Sequence, residues 1–187
     1  RRSSDLLRPM MPVYHPDGNF SGQGSWTNMV ATQSISGERK NKENDLWLTG
    51  GLKITPLKDW TINVDYTYNM YILSKKQHGK EILEHTANPD IVTVFPHTTP
   101  SRVKFTTDDN YYQTFNAYTD YSKSLGKHNI KLLLGYNYET KSYRWFNAER
   151  ENLISNDLAG LGQAYGEKYN GSGQHSWATM GYFARMI

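Results

Sequence analysis

The chain has 187 residues, 37% of them apolar and 21% charged, and a formal net charge of +3. That balance is too mild to require a nucleic-acid partner, and the lack of cysteine excludes disulfide scaffolds and thiolate metal sites. A mean hydropathy of −0.75, with no apolar run of about 18 residues, excludes a membrane-crossing helix but not a membrane-crossing strand, whose signal is much weaker.

Residues 1–45 read as irregular. The stretch from Pro12 to Asn19 is rich in turn formers, and the run Glu38-Arg39-Lys40-Asn41-Lys42-Glu43 reads as solvated. The pattern then changes. Leu46, Leu48, Leu52 and Ile54 share one parity, with Trp47 as an exception. After Pro56-Leu57-Lys58 every second residue is apolar: Trp60, Ile62, Val64, Tyr66, Tyr68 and Met70. Period two is the signature of a strand with two unlike faces. A second pair follows, with Phe115, Ala117 and Tyr121 before the short turn at Gly126, and Ile130, Leu132, Leu134, Tyr136 and Tyr138 after it. A noisier run closes the chain at 175–187. The expected strands are 46–55, 59–72, 111–123, 128–144 and 175–187, a partial sheet over residues 46–187.

The expected connections alternate: two are a few residues long, and two, near 73–110 and 145–173, are long. Outer-membrane barrels have short periplasmic turns and long external loops in that order. The apolar parity from Trp60 to Met70 is long enough for a tilted strand to cross the hydrocarbon layer, which takes about 9–11 residues. Trp60 sits at a short-turn end, while Tyr66, Tyr68, Tyr136 and Tyr138 sit toward the long-loop ends, as interfacial rings do. The rival is a soluble carbohydrate-binding β-sandwich, whose apolar parity would face an internal core.

Four segments resemble SusC/RagA-type TonB-dependent outer-membrane transporters of Bacteroidetes. Pro12-Val13-Tyr14-His15-Pro16-Asp17-Gly18-Asn19-Phe20 is similar to their PVYDPDGNY-like stretch. Leu125 to Tyr136 resembles a hairpin of theirs, Glu149 to Ser155 a loop, and Trp177 to Arg185 a strand. The resemblance implies a plugged barrel of about 22 strands that imports oligosaccharides or peptides captured with a SusD-like surface lipoprotein lid and energised by TonB. No plug domain, TonB-binding motif or closing strand is present in these residues. The chain starts at Arg1 without a leader and stops inside a strand-like run. It therefore reads as an internal barrel slice: all-β, antiparallel, transmembrane, about five strands and two long extracellular loops, located in the outer membrane against membrane lipid.

Candidate site residues follow from the same reading. Lys53, Asn63, Asp65, Asp120, Lys131 and Glu139 fall on the polar parity and are expected to line the lumen. Trp26, Trp145, Phe146, Tyr165 and Tyr169 are rings suited to stacking on a substrate, with Arg150 beside them as a hydrogen-bond donor. Glu81 and His85 are spaced for one helix face, but a metal site needs more ligands and supporting partners. No nucleophile elbow, phosphate-binding loop or paired catalytic carboxylates stand in a recognisable context. The expectation is a transporter piece with no cofactor and no metal, not an enzyme.

Overall fold

In a computed structural model, residues 12–22, 28–86, 88, 90–95 and 98–187 are described. A short helix, α1 (Met29–Ile35), leads into β1 (Gly37–Leu57) and β2 (Trp60–Gly79). Two short strands, β3 (Leu83–His85) and β4 (Val92–Val94), pair antiparallel with each other. Then come β5 (Arg102–Leu125), β6 (His128–Glu151) and β7 (Lys168–Met186). The five long strands form one sheet in the order β1-β2-β5-β6-β7, so both tight hairpins join neighbours. The fold is all-β and mostly antiparallel.

Every long strand starts or ends beyond its expected bound. In β1 the extra length, Glu38 to Glu43, is polar on both faces and carries no alternation to read, whereas that of β5 and β6 includes Val103, Phe105, Trp145 and Phe146 in runs too short to stand out. Backbone hydrogen bonding continues regardless of side-chain polarity. The stretch expected to be irregular up to residue 45 instead holds α1 and gives way to β1 at Gly37, and the two long connections narrow to 80–101 and 152–167.

The chain divides into two compact units. The first comprises Arg1–Asn41, Lys75–Thr106 and Asn147–Gly171. It holds two small apolar clusters: Ala31, Ile82 and Phe95 with Phe20 against them, and Val103, Leu153 and Ala164 with Phe105, Ala159 and Leu161. The turn-rich segment is a strap over β3. Gly22 N–H donates to the His85 carbonyl (2.8 Å), and His85 N–H donates to the Phe20 carbonyl (3.1 Å). The Asp17 carboxylate accepts from the Asn19 backbone N–H (3.0 Å) and side-chain amide (2.9 Å), which holds it below its usual range. Only glycine fits at position 22, where an added Cβ would lie 2.6 Å from the Glu84 Cβ.

The second unit comprises Lys42–Ser74, Thr107–Phe146 and Ser172–Ile187. Its cross-strand contacts sort by parity. On one face Thr49 meets Thr67 (3.1 Å), Asn69 donates to Asp45 (2.6 Å), Asn137 donates to Asn116 (2.7 Å) and Tyr112 donates to Glu139. On the other, Trp60 donates to Thr119, and the Phe115, Tyr136 and Tyr182 rings stand 6.2 and 5.1 Å apart in sequence. Leu46, Leu48, Leu52, Ile54, Ile130 and Leu134, of this apolar parity, are all exposed. Ile62, Val64 and Leu132 are half-buried. A sandwich strand would seal these residues beneath a second layer.

Candidate functional site

On the polar face of the second unit a hollow of about 720 Å³ crosses four strands. β1 supplies Asp45 and Trp47, β2 supplies Asn69 and Tyr71, β5 supplies Asn110 and Tyr112, and β6 supplies Lys141. The strands place these groups together because side chains of one parity share a face and neighbouring strands lie about 4.8 Å apart. Asn69, 8% exposed, donates both to Asp45 and to the Leu46 carbonyl (3.2 Å), so its amide and the carboxylate are fixed relative to each other. Trp47 is 59% exposed. A free indole face beside a fixed carboxylate–amide pair can stack on a flat or apolar group while hydrogen-bonding its polar edge.

The expected lumen residues share the parity of this hollow. Glu139 accepts from the Tyr112 hydroxyl. Asp65 stands beside Gly51, where an added Cβ would lie 2.8 Å from its Oδ1. Asn63 is half-buried; Lys53, Asp120 and Lys131 are exposed. Lys131 also exchanges two backbone hydrogen bonds with Ile187 (2.8 and 3.0 Å). None of the six lines the hollow itself.

The expected substrate-binding rings divide between the two units. In the second unit, Trp145 packs over Gly173, where an added Cβ would lie 2.5 Å from its Nε1, and Phe146 is exposed. In the first unit, Tyr165 and Tyr169 are 72% and 50% exposed. Arg150 donates to the carbonyls of Leu161 (3.2 Å) and Gly166 (3.5 Å), so it ties down the 152–167 connection. Trp26 lies outside the described residues.

Sequence reasoning missed Trp47, Asn69, Tyr71, Asn110 and Lys141. The available signal was Trp47, the large apolar residue that breaks the parity of the expected strand 46–55. Glu84 was also missed as a buried group. It is 2% exposed, its Oε1 has no hydrogen-bond partner, and burial pushes its carboxyl above the usual range. Glu81 bonds Thr99 and the Ser101 N–H instead of any partner on a helix. No three His, Asp or Glu side chains among the described residues converge on a metal position. No helix among them is long and apolar enough to cross a membrane, which says nothing of strands.

No family model matches the chain, and no curated protein matches it. Solved structures do. A chain of the RagAB peptide transporter superposes with a TM-score of 0.70 at 16% identity. Chains of the RagAB peptide importer in the "closed-closed" and "open-open" states give 0.72 at 16% and 0.71 at 15%. Each match covers 90% of this chain and 18% of the other, so the chain spans about a fifth of those proteins. At this identity the likeness establishes the fold: an all-β, largely antiparallel sheet of the form found within RagAB transporter chains.

Proposed function

We propose that this chain is a wall segment of a TonB-dependent outer-membrane transporter of the SusC/RagA type, working with a surface lipoprotein lid to import oligosaccharides or peptides. One observation carries the reading: a five-stranded sheet with an uncovered apolar face and a polar opposite face. Lipid is the environment in which Leu46, Leu48, Leu52, Ile54, Ile62 and Val64 lose contact with water without a second protein layer. The likeness to RagAB chains supports the transport role, and the four sequence resemblances support the family.

In this reading the short turns after Leu57 and Leu125 face the periplasm, and 80–101 and 152–167 are external. The polar parity, including Lys53, Asn63, Asp65, Asp120, Lys131 and Glu139, lines a hydrated lumen. The hollow around Trp47 and Asn69 touches solute on its way through, and Tyr165 and Tyr169 meet it outside. The chain's residues hold and guide; they carry out no bond chemistry.

Deleting the gene for the intact protein tests this. Cells lacking it are expected to lose uptake of one oligosaccharide or peptide class, and dissipating the energy that drives TonB should mimic the deletion. The intact protein should fractionate with outer-membrane lipid. Recovery from the periplasm as a soluble, cooperatively melting protein would overturn the proposal.

A further inference from the structure

The apolar parity of β1 and β2 turns cationic toward one end of each strand. β2 runs on past Met70 through Ile72 and Ser74 to Lys76, and β1 passes through Glu38, Lys40 and Lys42 before reaching Leu46. The Arg39 side chain donates to Gln77 Oε1 (3.2 Å), and the Lys80 N–H donates to the Ser36 carbonyl (2.8 Å). That register puts Lys40 directly opposite Lys76, both on the parity of Leu46 and Met70, with their Cβ atoms about 5 Å apart.

Like charges directly opposite each other destabilise a sheet. The neighbouring carboxylate on that parity, Glu38, lies 2.9 Å from Lys40 Nζ. Lys76 forms no ion pair with a described residue; its Nζ stands 5.4 Å from the centre of the Phe105 ring, which attracts the ammonium without cancelling its charge. Lysine on an edge strand can serve to block pairing with another sheet, but β2 lies between β1 and β5, so Lys76 guards no edge. The opposed pair is left with surplus positive charge, and Lys42, at the next position of that parity on β1, adds to it.

We propose that Lys40 and Lys76 bind a phosphate group on the sugar headgroup of an outer-leaflet glycolipid. The inference rests on the reading that this parity meets lipid. A phosphate accepts charge-assisted hydrogen bonds from both ammonium groups and offsets their repulsion. Basic groups beside a membrane draw anionic headgroups by the same attraction. Strand length selects the kind of lipid. From Met70 to Lys76, β2 extends for about 20 Å, whereas a phospholipid headgroup layer adds only about 5–7 Å to each side of the hydrocarbon. A sugar headgroup is thick enough to bring phosphate to the level of the two lysines.

The test uses the intact protein in nonionic detergent, titrated with a rough-type lipopolysaccharide whose core sugars carry phosphate and read by native mass spectrometry. The same glycolipid with its phosphates removed should bind at least fivefold more weakly. Lys40→Gln/Lys76→Gln should erase that preference. Lys123→Gln, on the parity of Phe105 but at the short-turn end of β5, should keep it. Glu38→Gln, which removes the competing carboxylate, should tighten binding several-fold, a gain that misfolding cannot imitate. Equal binding of the two glycolipid forms, a preference that survives the double variant, or one lost as fully in Lys123→Gln overturns the proposal. So does unchanged affinity in Glu38→Gln, or competition by phosphatidylglycerol or inorganic phosphate as strong as that of the glycolipid itself. A protein that fractionates with outer-membrane lipid but shows no phosphate preference overturns this inference alone, and one recovered soluble from the periplasm overturns the transport reading with it.

Discussion

Replacing Val64 by arginine probes the apolar face at its most sensitive point. Trp60 and Met70 are ten steps apart on β2. At about 3.3 Å per step and a strand tilt of about 40°, they span about 25 Å, the height of a barrel's apolar band. Val64 then lies about 3 Å from the midplane, where an arginine costs about 2–4 kcal/mol, a factor of roughly 30 to 900 in the folding equilibrium. Asn63→Arg, one residue away and on the polar face, should change it by less than about 0.5 kcal/mol. The assay is the folded fraction of the intact protein in outer-membrane lipid vesicles across a urea series, read by heat-dependent gel mobility. Equal damage from both substitutions would refute the assignment of the two faces. So would a harmless Val64→Arg beside a damaging Asn63→Arg.

Other outcomes follow from single contacts. Gly37 has φ +112°, and an added Cβ would lie 2.0 Å from the His78 carbonyl oxygen. Gly37→Ala should therefore cost at least about 1 kcal/mol, and hydrogen exchange should show the Lys80 amide, bonded to the Ser36 carbonyl at 2.8 Å, opening faster. Asp109 holds Arg144 at 2.7 Å with a side chain only 12% exposed, though the arginine is 61% exposed. Asp109→Ala should cost about 1 kcal/mol, measurable by denaturant titration in detergent, whereas Asp59→Asn at the looser Lys123 contact of 3.8 Å should cost nothing detectable. Glu84 titrates higher folded than unfolded, so the strap and β3 are most stable below the ordinary carboxyl value of 4.5. They lose stability as pH rises from there through the raised folded value. Glu84→Gln should abolish that slope and leave the strap firmer at neutral pH, read by limited proteolysis within 80–101 as a function of pH.

Much of the sheet was legible in the residues because period-two alternation sustained over eleven positions is a strong regularity. The alternation from Trp60 to Met70 marked β2 and its parity, and the connections read at Pro56-Leu57-Lys58 and at Ser124 to Lys127 marked both hairpins, whose turns are Lys58-Asp59 and Gly126-Lys127. The strand ends were not legible. Where both faces meet water, as from Glu38 to Glu43, nothing in side-chain polarity distinguishes a strand from a loop. The hollow on the polar face was hidden for another reason: its residues come from four strands, and only the register brings Trp47, Asn69 and Lys141 together. A ring breaking the parity of its strand is the trace such a site leaves. The opposed lysines left no trace of that kind, since Lys40 and Lys76 are 36 positions apart and each alone reads as surface charge.

The central claim is that one face of this sheet meets hydrocarbon. The stretch 60–70 contains no cysteine, so single spin labels can be placed at each of its positions in the intact protein in lipid vesicles. Collision with oxygen, which concentrates in lipid, and with a water-soluble nickel chelate should then alternate. Positions 60, 62, 64, 66, 68 and 70 are expected to favour oxygen, and the odd positions the chelate or neither. Even positions reached equally by the chelate, or shielded from both reagents, would contradict the account.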